Sequence, residues 1–174
     1  MSNQFIKNAF VRFLIIAGLT YLSLYLAHTF IIKRYTYYDQ KFIGSIIQAA
    51  ENTLQILGFK TFTVMQDRDV QVVGIDGSNG VWVGSNCNAI SLFNLFVSFV
   101  FAYPGKWKHK LWFIPAGILI IHGLNILRVV ALSIISLKAP QTLQFNHTYT
   151  FTFFVYAFIF YFWMIWANKI SKLK

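Results

Sequence analysis

Acidic residues are scarce in this chain. Only 5 of its 174 residues are Asp or Glu, against 15 Lys and Arg, and charged residues of both signs make up 11% of the total. Hydrophobic residues make up 57% and aromatic residues 19%, with a mean hydropathy of +0.56. A soluble domain of this length needs far more polar surface, so the composition indicates an integral membrane protein.

The shortage of acidic residues leaves a net charge of +10. In a soluble protein such an excess would suggest a nucleic-acid partner. Here the basic residues stand beside apolar runs, which is the arrangement that sets the orientation of a membrane protein. We therefore expect the lipid bilayer, and no nucleic acid, as the partner of these charges.

Cysteine is almost absent, because Cys87 is the only one. A single cysteine excludes an internal disulfide and any metal site built from several cysteines. What remains open for Cys87 is packing or reactivity.

Four apolar stretches approach the roughly 20 residues that a helix needs to cross a bilayer. They predict an all-α integral membrane protein with a single membrane domain over 1–174 and about four transmembrane helices. The predicted spans are 13–32, 87–104, 111–135 and 148–167. The first run is too long for a signal peptide and lacks a convincing cleavage site, so we interpret it as an uncleaved anchor.

Basic residues in the short flanks predict the orientation. Three groups fall on one side if there are four spans: Lys7 and Arg12, Lys106 to Lys110, and Lys169 to Lys174. That side is predicted to be the cytoplasmic face of the inner (cytoplasmic) membrane, with both termini inside. Lys33 and Arg34 land outside and oppose this assignment, but they are outnumbered.

The segment 33–86 is then extracytoplasmic. Apolar residues recur at three- and four-residue intervals over 39–57, which predicts an amphipathic helix. Three short β-prone runs follow at 61–65, 70–75 and 81–83, separated by turn compositions, and predict a small β-hairpin or meander that leads into Cys87. This hairpin is either a rigid strut or an edge for pairing with an extended peptide.

Three polar residues reach the same depth on the outer side under this topology. Cys87 opens the second span and His147 precedes the fourth. Arg128 lies 17 residues beyond Leu111, or about 25 Å along a helix, near the same interface. A thiol, a cation and a titratable base are the parts of a cysteine-nucleophile acyl-transfer site.

Each of the three also has a plainer interpretation. Cys87 is either an inert small side chain or a thiolate stabilised by a helix N-terminus and a nearby arginine. Arg128 either snorkels to the interface or stabilises an oxyanion. His147 is either solvated or the general acid and base, with His28 in reserve.

Two further groups complete these expectations. Asn125 and His122 share a broad helix face with Arg128, so the polar stripe is expected to point into the bundle. The aromatic residues of the last run are expected to face lipid or the interface. They include Phe151, Phe153, Phe154, Tyr161, Phe162, Trp163 and Trp166.

Three short strings in this chain carry a family resemblance. They are Cys87-Asn88-Ala89-Ile90, Asn125-Ile126-Leu127-Arg128 and Asn146-His147. In order, spacing and expected depth they resemble the motifs of the exosortase/archaeosortase family. Ala89 stands where that family usually has glycine. The chain also has fewer spans than typical bacterial members, so it resembles a compact bacterial form in which a small membrane partner protein could complete the substrate groove.

The resemblance implies a membrane-embedded cysteine transpeptidase or protease. Its substrates would be secreted proteins with a C-terminal motif, a transmembrane helix and a basic tail, cleaved near the outer interface through a thioester. It implies Cys87 as nucleophile, Arg128 as oxyanion stabiliser and His147 as proton carrier. Asn125, Asn88, Asn86 and His122 would support them. It implies no metal and no diffusible cofactor.

Other functions stay open on the residues alone. A non-catalytic membrane assembly subunit would use the polar stripe to hold another helix. An outer-leaflet lipid or acyl transferase would use the same cysteine chemistry. A small transporter would need polar residues on several helices at mid-depth, and three of the four runs offer few.

Overall fold

A computed structural model describes residues 8–32, 36–67, 70–84, 87 and 89–172. The described chain is mostly helical, with five main helices and one small sheet. The helices are α1 (Ala9–Ala27), α2 (Thr36–Ile56), α3 (Ile90–Ala102), α4 (Trp107–Lys138) and α5 (Phe151–Asn168). The strands are β1 (Thr61–Asp67), β2 (Val70–Ile75) and β3 (Val81–Gly84). Shorter helical turns occupy His28–Ile32, Pro140–Thr142, Leu143–Phe145, Asn146–Thr150 and Ile170–Lys172.

Within the described residues, three helical stretches are long and apolar enough to cross a membrane. They are Ala9–Phe30, Trp107–Lys138 and Pro140–Lys172. The fourth apolar helix, α3, has 13 residues and a length of about 20 Å, less than the roughly 30 Å of hydrocarbon in a bilayer. α3 begins at Ile90 and ends at Ala102, whereas the sequence predicts a span over 87–104.

The sheet is antiparallel with strand order β1-β2-β3. Val73 pairs with Val81, and these two residues lie with Ile75 and Val83 on the face that packs in the aliphatic core. The turn into β3 needs glycine at position 80, where φ is +71° and an added Cβ would lie 2.6 Å from a Val72 methyl. β3 is an edge strand, and it ends three residues before Cys87.

An aliphatic core joins this sheet to two helices. The apolar face of α2 contributes Ile46 and Leu54, both fully buried, and the sheet contributes Val73 and Val83. The C-terminal half of α4 closes the core with three residues: Val129, Val130 and Leu132. The Ser136 hydroxyl donates to the Gly80 carbonyl at 3.2 Å and ties α4 to the sheet.

A second core is aromatic and lies among α3, the N-terminal half of α4, and α5. Phe96, Phe113 and Trp166 are its large members. The helices approach closely at Gly117, where an added Cβ would clash with the Phe96 ring. The expectation that Trp166 faces lipid is wrong: its side chain is fully buried, because its ring packs 5.1 Å from that of Phe113.

The other aromatic residues of the last run divide between the two environments. Phe153, Phe154 and Tyr161 are exposed on the helix surface, as expected of a lipid-facing position. Trp163 instead stacks on Phe99 at 4.3 Å and packs against the aromatic core. One face of α5 therefore packs inward, while the other stays exposed.

Candidate active site

Cys87 lies in the turn between β3 and α3. α3 begins at Ile90, so the thiol precedes the helix by three residues rather than capping it. Ala89 forms the cap in a left-handed conformation, with φ 62° and ψ 5°. Cys87 packs against the aliphatic core, while Ala89 is buried in the aromatic core. The turn therefore lies where the two cores meet.

Asn125 holds this turn from α4. Its side chain is 2% exposed, and its Nδ2 donates to the Cys87 carbonyl at 2.9 Å. A buried amide rotates little when it is bonded to a backbone oxygen, so this contact fixes the position of Cys87 against α4. Asn125 acts on the backbone of Cys87 and leaves its thiol free to react.

The thiol faces His147. Cys87 Sγ lies 3.6 Å from His147 Nε2, within reach of a sulfur hydrogen bond. His147 belongs to the helical turn Asn146–Thr150 that leads into α5. A thiol and an imidazole at this separation can exchange a proton, with the direction set by the tautomer of the ring.

Arg128 holds His147 through the backbone. Its Nη2 donates to the His147 carbonyl at 3.2 Å, and the Thr152 hydroxyl donates to the same oxygen at 3.4 Å. The Arg128 Nε is buried and has no hydrogen-bond partner among the described residues. A buried donor without a partner is costly, so this N–H is available to an oxygen that enters the site.

One small cavity brings the predicted residues together. Cys87, Asn125, Arg128 and His147 all line it, with a volume of about 10 Å³ that holds about one water-sized group. The three residues that the sequence places at one depth are therefore neighbours. The exposed Trp82 of β3 lines the same cavity.

Three larger cavities adjoin this centre: one of about 200 Å³ that Arg128 also lines, and two still larger ones on different sides. A cleft of about 300 Å³ lies between β3 and the turns before α5, and Trp82, Gln144 and His147 line it. An apolar groove of about 390 Å³ runs between α4 and α5, with Leu127, Arg128 and Phe154 on its walls. His147 thus faces both the centre and the cleft, and Arg128 faces both the centre and the groove.

A family model described as transmembrane exosortase (Exosortase_EpsH) matches residues 8–164. The chain belongs to the transmembrane exosortase family. The resemblance carried by the three short motifs is confirmed, and together with the three apolar helices it makes the chain a multi-pass membrane protein. No curated protein and no solved structure matches the chain.

Not every residue singled out for this exosortase reaches the centre. His122 packs its ring 5.4 Å from that of Phe42, and it is not among the residues that line the cavity of Cys87. His28 begins the turn that follows α1 and does not line that cavity either. Asn86 and Asn88 lie outside the described residues.

Two residues of the candidate site were not predicted from the sequence. Thr152 follows His147 by five residues, a spacing that comes into contact across a π-helical turn such as Asn146–Thr150. Trp82 stands between two valines in a strand, so alternation puts it on the face opposite the core. Both signals are present in the sequence, but they become specific only once His147 is located.

Proposed function

We propose that this exosortase is a membrane-embedded cysteine transpeptidase that cleaves the C-terminal sorting signals of secreted proteins. The observation that carries the proposal is the 3.6 Å contact between Cys87 Sγ and His147 Nε2, in a cavity that Arg128 also lines. Family membership supports the reaction class. The roles of the individual residues follow from their contacts.

The reaction begins with proton transfer from the Cys87 thiol to His147 Nε2. The thiolate attacks the scissile carbonyl carbon and forms a tetrahedral intermediate. The carbon–nitrogen bond then breaks, and His147 gives its proton to the leaving amine. A thioester on Cys87 remains until a second nucleophile, an amine or water, attacks it and restores the thiol.

Arg128 stabilises the negative charge of the tetrahedral intermediate. Its Nη2 already holds the His147 carbonyl, and no group in the described part of the chain accepts a hydrogen bond from its buried Nε–H. A fixed donor aimed at a developing oxyanion in a water-poor site lowers the barrier by several kcal/mol, about 10²–10³-fold in rate. The hydrogen bond from Nη2 to the His147 carbonyl also keeps His147 beside the thiol.

The two larger cavities fit the two parts of such a substrate. The recognition motif would lie in the cleft beside β3, whose free edge can pair with an extended peptide. The apolar tail helix would pack in the groove between α4 and α5. A chain that passes from cleft to groove crosses the centre, because His147 borders the cleft and Arg128 borders the groove.

The centre would face the outside of the inner membrane in a four-span topology, with α3 as the short second span and both termini in the cytoplasm. The packing at the other end of the bundle supports this orientation. Gly105, in the loop between α3 and α4, approaches Ser171 near the C-terminus. Basic residues therefore gather there, away from Cys87, as the positive-inside rule requires.

Trapping tests the proposal directly. The chain and its Cys87→Ala variant are each expressed in membranes with a secreted protein that carries a C-terminal helix and basic tail. The intact chain should form a hydroxylamine-sensitive adduct and release the tail. Cys87→Ala should do neither. Since Cys87 is the only cysteine, every thioester must lie there.

Two conditions are checked alongside this test: both forms of the chain must be folded, and the substrate must reach the outer face. Equal tail release by both forms would overturn the proposal that the chain is an enzyme and would favour a non-catalytic assembly subunit. An adduct that carries a fatty acyl group and no peptide would instead identify an acyl transferase. Mass spectrometry of the adduct distinguishes these outcomes.

A further inference from the structure

A cavity of about 620 Å³ lies at the end of the bundle away from Cys87. The first turns of α1 and the loop between α3 and α4 form its walls, and Arg12, Tyr103 and Lys110 line it. This volume falls within the roughly 300–1,000 Å³ typical of ligand sites. No residue of the proposed catalytic centre lines it.

Lys110 is buried there in an unusual way for a lysine. Its side chain is 6% exposed, and its Nζ donates to the Phe101 carbonyl. The ammonium also lies 5.4 Å and 5.7 Å from the ring centroids of Trp107 and Phe101. A carbonyl and two rings hold the cation in place but do not neutralise it.

The chain has no side-chain carboxylate to offer at this end. All 5 acidic residues lie between positions 39 and 76, in the segment of α2 and the sheet. Residues 1–38 and 77–174 contain neither Asp nor Glu. A buried cation is stable only when its charge is balanced, and no acidic side chain at this end can balance Lys110 or pair with the exposed Arg12, so an anion from outside the chain fits this cavity.

We propose that this cavity binds the phosphate headgroup of an anionic phospholipid from the cytoplasmic leaflet. Arg12 of α1 and Lys110 of α4 both line the cavity, and basic pockets between membrane helices bind such headgroups. A lipid fits better than free phosphate because Phe13 and Ile16 give the cavity an apolar wall for the start of the acyl chains. The bound lipid joins α1 to the loop that leads into α4.

Lys108 provides a matched control for this site. It stands two residues before Lys110 on the first turn of α4, and it is exposed where Lys110 is buried. Residues two apart point to nearly opposite faces of a helix. Lys108→Gln therefore removes the same charge from the same turn without touching the cavity.

The experiment uses the full chain in neutral detergent and measures bound lipid by native mass spectrometry. Phosphatidylglycerol should bind saturably and phosphatidylcholine should not. Arg12→Gln and Lys110→Gln should each weaken the binding of phosphatidylglycerol about five-fold, the typical effect of one basic residue at a lipid surface. Lys108→Gln should bind as the unchanged chain does.

Three results would overturn the proposal. Equal binding of phosphatidylglycerol by Arg12→Gln and the unchanged chain would show that this cavity is not the lipid site, even if Lys110→Gln fails to fold. Equal weakening by Lys108→Gln would indicate diffuse attraction to the basic surface. Displacement of phosphatidylglycerol by equimolar glycerol 3-phosphate or inorganic phosphate would indicate a free-anion site.

Discussion

The aliphatic core and the aromatic core of this protein hold their helices by different means. The first is made of Ile, Val and Leu from α2, the sheet and the end of α4. The second relies on large rings and on the close approach of α3 to α4 at Gly117. The first resembles the interior of a soluble domain. The second has the small-residue contact that lets membrane helices pack where lipid removes the hydrophobic driving force.

The candidate catalytic centre lies at the boundary between these cores. On α4, Asn125 and Arg128 fall between Ile121 of the aromatic core and Val129 of the aliphatic core. A helix of 32 residues, about 48 Å long, is long enough to belong to both. The site therefore depends on two independent packing systems that meet along one rigid helix.

The largest effect on activity is expected from a substitution of Arg128, at the boundary between the two cores. Arg128→Lys keeps the charge but loses the planar fork, so one ammonium cannot hold the His147 carbonyl and also present a donor in the position of Nε. We expect tail release to fall about 10²–10³-fold, with little loss of thermal stability. The rate of single-turnover cleavage of the substrate identified by trapping measures this fall.

A companion measurement shows whether His147 has moved in Arg128→Lys. The rate at which Cys87 reacts with a small alkylating agent reports the environment of the lone thiol. A changed alkylation rate would indicate that Arg128 acts by holding His147, and an unchanged rate would leave oxyanion stabilisation as the main role. Retention of more than a tenth of the cleavage rate would contradict both.

The next largest effect is expected in the aliphatic core. Leu54→Ala removes a fully buried side chain and should lower the free energy of unfolding by about 2–5 kcal/mol. Leu57→Ala, at a side chain that is 56% exposed, should change it by less than about 0.5 kcal/mol. Hydrogen exchange should accelerate in β2 for Leu54→Ala and stay unchanged in α3. Equal acceleration in both would mean that the two cores unfold as one.

The aromatic core should respond to added volume rather than to lost volume. Gly117→Ala places a methyl against the Phe96 ring and should destabilise the helix pair by about 1–3 kcal/mol. Gly123→Ala, on the same helix with nothing within 4 Å, should be neutral or slightly stabilising. Thermal unfolding in detergent, with both variants side by side, measures the difference. Similar unfolding midpoints for the two variants would show that the contact at Gly117 does not set the spacing between α3 and α4.

The sequence predicts the centre better than it predicts the packing around it. Cys87, Arg128 and His147 could be grouped because charge and hydropathy fix the depth of a residue in a bilayer, and each motif falls at a span end. The burial of Trp166 could not be predicted, because hydropathy does not distinguish a ring facing lipid from a ring facing another helix. The role of Trp82 depends on which sheet face α2 covers, and that is a tertiary contact.

The same reasoning applies to His122, whose supporting role stays a prediction although it does not line the cavity of Cys87. Helical spacing places it on the same broad face as Asn125 and Arg128. The structure covers that part of the face with Phe42 of α2, so the ring of His122 packs against another ring. Periodicity identifies a face, but the partner that covers each turn of it is chosen by the fold of a distant segment.

The smallest effect is expected at Ala89, and it bears most directly on the boundary between the cores. The left-handed conformation of Ala89 costs an L-residue about 1–2 kcal/mol, whereas glycine adopts it freely. Ala89→Gly relieves this strain but loses a buried methyl, worth about 0.8 kcal/mol, and gains chain entropy in the unfolded state. These terms nearly cancel, so the free energy of unfolding should change by less than about 1 kcal/mol.

The informative contrast is Ala89→Val. A β-branched residue fits the left-handed region poorly, so the turn should change conformation and carry the Cys87 thiol away from His147. Cleavage should then fall far more than stability, whereas Ala89→Gly should cleave at least as fast as the unchanged chain. If Ala89→Val cleaves normally, the turn does not set the position of the thiol, and the contact between Asn125 and the Cys87 carbonyl must do so alone.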